Sequence, residues 1–190
     1  MTVDPATLGV RLYPDPILRR KAETITLTDE VRAVARRMIE LMHEHDGIGL
    51  AAPQVGLSWR LFVSFVPESD KRSASGEAPS AERTASAYIN PVLSAPGGAL
   101  VKYEEGCLSL PEISGVVHRP DSITITATGL DGVVFSRRGS GLLARCWQHE
   151  VDHLDGVLIL DRMTQIYRMK NRGAVRDLET RWTAANARMT

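Results

Sequence analysis

Apolar residues recur at Val31, Val34, Ala35, Met38, Leu41 and Met42, the three- and four-residue spacing that marks one face of a helix. Thr28 precedes the run as an N-cap, Asp29 and Glu30 occupy its first turn, and Gly47 ends it. His43 and His45 fall at the surface-facing end of this helix. Before it, Pro14 and Pro16 keep residues 10–23 extended and turn-rich. After it, 47–58 reads as a loop and Arg60–Val66 as a strand. Further strands are predicted at 87–93, 99–104, 115–118, 122–128 and 133–137. The alternation in Ser122-Ile123-Thr124-Ile125-Thr126, followed by the turn Leu130-Asp131-Gly132-Val133, predicts an antiparallel hairpin. Leu142, Cys146, His149 and His153 then follow one another at helical intervals, so they share one stripe of a second helix, opened by Gly139 to Gly141 and closed by Gly156. A last helix is predicted over 164–183. Strands grouped between long helices, rather than alternating with them, predict an α+β fold: antiparallel strands packed around a central histidine-bearing helix, with an N-terminal and a C-terminal helix.

Residues 67–87 interrupt this pattern. They are rich in Ser, Ala, Glu and Pro and lack apolar anchors, which predicts a mobile surface loop within a single domain over 1–190. The 190 residues are 43% apolar and 24% charged, with Lys+Arg and Asp+Glu both at 23. That balance gives no sign of a nucleic-acid or membrane-surface binder. No apolar run has the length of a membrane span, and the first residues lack the apolar core of a secretory signal, so a cytoplasmic protein is expected.

The chemistry concentrates in His149-Glu150-Val151-Asp152-His153. Two histidines four apart on a helix present imidazoles to one ion, and Glu150 lies within reach of the site without being a ligand. Catalytic sites of this kind take three protein ligands and leave a fourth position open. Cys107, presented by the turn-like Glu105-Gly106-Cys107-Leu108-Ser109, is the candidate third ligand. The other cysteine, Cys146, lies on the histidine stripe and reads as a small buried hydrophobe. His43 and His45 read as surface residues. Gly47-Ile48-Gly49-Leu50-Ala51-Ala52-Pro53-Gln54 places small residues where backbone must approach a ligand or a packed neighbour.

Taken together, Gly47–Gln54, Glu105–Ser109 and Gln148–His153 match in order the three signature motifs of peptide deformylases, and no fixed position departs from them. The chain resembles that family over about residues 8–165, with 67–87 as an insertion. The resemblance implies an α+β fold and removal of the formyl group from N-formylmethionine on nascent polypeptides. It implies Cys107, His149 and His153 as ligands of one divalent metal ion, commonly Fe(II), with Zn(II), Ni(II) or Co(II) also accommodated. It implies Glu150 as catalytic acid/base, and Gln54 with the backbone N–H of Leu108 as donors to the formyl oxygen. Gly49, Leu142, Arg145 and Cys146 match positions in or beside the methionine pocket, where Arg145 is expected to lend its aliphatic stem while its head reaches water. Asp152 is expected to brace the metal helix by pairing with Arg119.

Two other functions fit parts of the pattern. An HExxH metallopeptidase takes its third ligand downstream, where Glu179 stands. A non-catalytic metal-binding domain has no need of Glu150 or Gln54, yet both are intact. A monomer is expected, with no membrane partner and no sequence-specific nucleic acid. The segment from Thr164, rich in Arg and Lys, is expected to be dispensable for chemistry and to contact the ribosome.

Overall fold

A computed structural model describes residues 2–68 and 78–187. The first long helix, α1 (Asp29–Glu44), starts where Thr28 Oγ1 accepts from the Val31 N–H at 3.3 Å. Five antiparallel strands follow in the order β1-β2-β3-β4-β5: Gly49–Ala51, Leu61–Ser64, Ser86–Cys107, Leu110–Thr128 and Val134–Ser140. Helix α2 (Gly141–Leu154) carries the two histidines, and α3 (Ile159–Arg162), α4 (Gln165–Lys170) and α5 (Arg172–Asn186) complete the chain. The architecture is α+β, as predicted.

The all-apolar run Leu61-Phe62-Val63 is explained by its position between two layers. Leu61 and Val63 pack toward α1 with Val34, Met38 and Met42, while Phe62 faces α2 with Tyr88, Trp147 and Leu154. Both faces of this strand are covered, so it does not alternate with polar residues. Helix α2 therefore lies against the sheet with Leu143, Cys146, Trp147 and Val151 buried. A third cluster, Leu18, Leu110, Ile113, Val117, Met163 and Leu178, joins the β3–β4 hairpin to the C-terminal helices.

Four expectations are corrected. The loop 47–58 contains β1, which pairs Gly49 with Ser64, Leu50 with Val63 and Ala51 with Phe62, followed by a 3-10 turn over Ala52–Val55. A three-residue strand, Gly-Leu-Ala and buried throughout, has no alternation to read; only its pairing defines it. The strands at 87–93 and 99–104 are one strand, as are those at 115–118 and 122–128. The register shifts at Ser94/Gly97 and Gly97/Leu100 absorb Pro96-Gly97-Gly98 as bulges, with Gly98 at φ +74°. The last helix is interrupted at Asn171, whose side-chain amide donates to the Ser114 and Tyr167 carbonyls. Of the loop predicted at 67–87, residues 69–77 lie outside the described residues, but 78–85 are tied down. The Ser140 hydroxyl donates to Ala78 O at 2.8 Å, and Glu82 accepts from Ser64 Oγ, Val66 N and Tyr88 Oη. The predicted β4–β5 turn forms, with Gly132 at φ +84°.

Candidate metal centre

Three separate segments meet beside α2. Cys107 ends β3 at a two-residue turn, Leu108-Ser109, before Leu110 begins β4. His149 and His153 come from one face of α2, their ring centroids 4.9 Å apart. The Cys107 sulfur lies 3.2 Å from His153 Nε2, and the ligand atoms of Cys107, His149 and His153 all lie within 4.8 Å of one another. Among the described residues this is the one such cluster of His, Cys and acidic side chains. The predicted trio is thus brought together.

A cavity of about 440 Å3 opens on this cluster. Its lining includes Gly49, Gln54, Cys107, Leu108, Leu142, Arg145, Cys146, His149 and Glu150, nine of the residues singled out in the sequence. Glu150 is 4% exposed, and its Oε2 is buried with no hydrogen-bond partner among the described residues. Burial raises its pKa to about 7, in the range where a carboxylate exchanges protons near neutral pH. Gly49 makes this placement possible, because a Cβ there would collide with the Glu150 carboxylate. Gln54 is held by its own oxygen, which accepts from the Ala51 N–H at 2.8 Å. That bond turns its amide nitrogen toward Ser109 Oγ (3.2 Å) and Cys107 Sγ (3.5 Å).

Glu105 is the residue whose role the sequence did not reveal. His149 Nδ1 donates to its Oε2 at 3.0 Å. Arg119 grips both oxygens, Nε to Oε1 at 2.7 Å and Nη2 to Oε2 at 2.9 Å, and Arg145 Nη1 adds a 2.7 Å bond to Oε1. The bond directs Nδ1 to Glu105 and so turns Nε2 of His149 toward Cys107 and the cluster, the usual service of a carboxylate behind a metal-binding imidazole. Burial opposes ionisation of Glu105, but the Arg119 and His149 bonds outweigh it and hold its pKa far below the usual carboxylate range. Burial likewise opposes charge on His149, and its bonds to Cys107 and Glu105 reverse that and lift it to about 10. His153 is different: burial and the His149 charge lower its pKa, and its Nδ1 has no partner among the described residues. Glu105 stood inside a quoted motif, but nothing in its spacing indicated a histidine partner.

The expectation for Arg145 is corrected. Its head does not reach water: it is buried, bonded to Glu105, Val117 O and Val101 O, and lies 5.5 Å from the Tyr103 ring centroid. A guanidinium beside a buried carboxylate is held there by charge-assisted bonds that water would replace only in part. The Asp152–Arg119 pair forms as expected, at 2.8 Å, and Arg162 adds a second cation to Asp152. Glu179 belongs to α5 and accepts from the Tyr13 hydroxyl at 3.0 Å; it is not part of the cluster.

The donor set itself fits a divalent cation. Two imidazoles and a thiol in mutual contact satisfy one another poorly as hydrogen-bonding groups, and they are the donors that Zn(II), Fe(II) and similar ions accept. Glu150, whose Oε2 has no hydrogen-bond partner among the described residues, lines the same cavity.

Comparison with known proteins agrees with this geometry. The sequence profile of the polypeptide deformylase family matches residues 7–169. The chain belongs to that family. It is 42% identical over 160 residues to a peptide deformylase of Acidobacterium capsulatum, covering 82% of this chain and 86% of the relative. It is 40% identical over 176 residues to the chloroplastic peptide deformylase 1B of Oryza sativa subsp. japonica. That match covers 92% of this chain but only 62% of the rice protein. Among solved structures, a peptide deformylase of Plasmodium falciparum superposes with a TM-score of 0.82 at 37% identity, covering 93% of this chain and 98% of the other. A plant peptide deformylase 1B superposes with a TM-score of 0.85 at 35% identity, covering 98% and 96%. The protein is therefore an enzyme, a metal-dependent hydrolase that removes the N-formyl group from nascent polypeptides. Among the described residues, no helix is long and apolar enough to cross a membrane.

Proposed function

We propose that Cys107, His149 and His153 hold one divalent cation and that Glu150 carries the proton as the enzyme hydrolyses the formamide of N-formylmethionine. The observation behind this reading is the convergence of these four side chains, with a Glu150 oxygen buried and unpartnered beside the cluster. Fe(II) is the proposed native ion, and Zn(II), Ni(II) and Co(II) suit the same donors. Such an ion supplies Lewis acidity, lowering the pKa of water toward neutrality and polarising a carbonyl.

Glu150 takes the proton of the attacking water as the formyl carbon becomes tetrahedral. It returns that proton to the amine nitrogen as the C–N bond breaks, leaving formate and a free N-terminal methionine. The Gln54 amide and the Leu108 backbone N–H donate to the formyl oxygen as negative charge grows on it. Loss of one such donor costs on the order of 3 kcal/mol of transition-state stabilisation. Gly49, Leu142 and Cys146 form the wall for the methionine side chain. Arg145 supports that wall from behind, its charge neutralised by Glu105.

Formate release from formyl-Met-Ala-Ser by Fe(II)-loaded protein tests the reading. Formate without peptide-bond cleavage is expected. Metal-loaded protein that releases no formate above the metal-free background overturns it, and cleavage of the peptide bond instead favours a metallopeptidase.

The reading extends to a monomer working in the cytoplasm beside the ribosome, although the rice relative is chloroplastic by name. Arg168, Lys170, Arg172 and Arg176 are exposed on α4 and α5, and a basic surface gains affinity for RNA by releasing counterions. Removing everything after Met163 is too coarse a test, because Leu178 and Asn171 are buried against the body of the enzyme. Charge reversal of Arg168 and Lys170 is expected to weaken salt-sensitive co-sedimentation with ribosomes and leave turnover of short formyl peptides intact. Unchanged co-sedimentation rejects the contact.

A further inference from the structure

The segment that follows residue 77 touches the metal helix at two points. At the start of α2, Ser140 donates from its N–H to Pro79 O at 2.9 Å and from its hydroxyl to Ala78 O at 2.8 Å. In the middle, the contact runs through a chain of hydrogen bonds. Trp147 Nε1 donates to Tyr88 Oη at 3.1 Å, and Tyr88 Oη donates to Glu82 Oε1 at 2.7 Å. Glu82 is itself fixed by Ser64 Oγ at 2.8 Å and Val66 N at 3.1 Å, both on its Oε2.

The chain of bonds has a direction. A tyrosine hydroxyl has one proton, and Glu82 takes it, so the oxygen presents a lone pair to the indole N–H. Trp147 is 1% exposed and Tyr88 is fully buried, so without that lone pair the indole N–H would lack an acceptor in an apolar layer. The Tyr88 ring is stacked on Phe62, centroids 4.5 Å apart, and cannot easily swing away. Trp147 precedes His149 by two residues and Glu150 by three, on the face of α2 turned to the sheet. Its ring also fills the space where a Cβ on Gly139 would stand. On this side of α2, the packing and hydrogen bond of Trp147 hold the helix against the sheet, opposite the ion pairs of Asp152 and Arg145.

We propose that Glu82 is a positioning residue for deformylation, aligning the metal helix from behind through Tyr88 and Trp147. This rests on the reading that Glu150 moves the proton. Glu82→Ala is expected to lower kcat about tenfold with KM and metal content unchanged, since small misplacements of a reacting group are costly. Tyr88→Phe is expected to do the same. The double variant is expected to lose no more than the worse single one, because both changes cut the same chain. Glu82→Gln retains an oxygen for the Tyr88 hydroxyl and is expected to recover kcat while still lowering stability at Val66. Trp147 emission, read with Trp59 and Trp182 replaced by Phe, reports the alignment independently of catalysis. It is expected to shift in Glu82→Ala and to return in Glu82→Gln.

Wild-type kcat in Glu82→Ala with only a lowered melting temperature overturns the proposal. So does a double variant in which the two losses multiply. A shift in Trp147 emission in Glu82→Ala, with wild-type protein releasing no formate, overturns the functional reading instead and leaves the alignment role standing.

Discussion

Glu150→Gln is expected to lower kcat by about 10²- to 10⁴-fold while leaving fold and metal content intact. Glutamine has nearly the shape of glutamate, so the packing over Gly49 survives. Its amide cannot accept the proton of the attacking water. The carboxylate is not one of the three proposed ligands, so metal analysis of the variant is expected to match the wild type. Formate release measured beside metal content checks this. Turnover within a few-fold of wild type at full metal occupancy removes Glu150 from the proton-transfer role.

Arg119→Met is expected to produce the largest loss of stability, about 3–5 kcal/mol, the range for removing one partner from a buried ion pair. Arg119 sits between two carboxylates, 2.7 Å from Glu105 Oε1 and 2.8 Å from Asp152 Oδ2, and its side chain is 6% exposed. Methionine fills much of the space but supplies no donor. Glu105 would then keep only Arg145 and His149, and Asp152 only Arg162. Urea unfolding with equal metal occupancy measures the effect as a shift in midpoint. A change below about 1 kcal/mol would mean that the remaining cations suffice. Activity is expected to fall as well, because the carboxylate that orients His149 loses two of its bonds. Arg119→Lys separates charge from geometry: a single ammonium cannot reach both oxygens of Glu105 and Asp152 together.

Much of the site was legible in the chain because its decisive elements are local. The four-residue spacing of His149 and His153 fixes their common face as soon as α2 forms, and the apolar stripe through Leu142 and Cys146 turns that face inward. Cys107 was legible as a candidate because a small-residue turn presents it. Helix α1 declared itself through its period and its Thr28 cap, and the β4–β5 hairpin through alternation and the Asp131-Gly132 turn.

What the sequence could not determine lies between segments. The pairing of Gly49–Ala51 with β2 depends on partners eleven to fifteen residues away, and a three-residue strand has no period of its own. Pro96-Gly97-Gly98 reads as a break, yet the long hairpin carries the chain through it by bulging, since the pairing on both sides outweighs the local preference. Arg145 reads as a side chain bound for water, and only the fold brings the buried Glu105 carboxylate to it from the end of β3. The same carboxylate orients His149, and the Glu82–Tyr88–Trp147 chain reaches the far side of the same helix. Local spacing determined which residues could form the metal centre. Long-range hydrogen bonds and ion pairs, whose partners no periodicity encodes, decided how those residues are aimed.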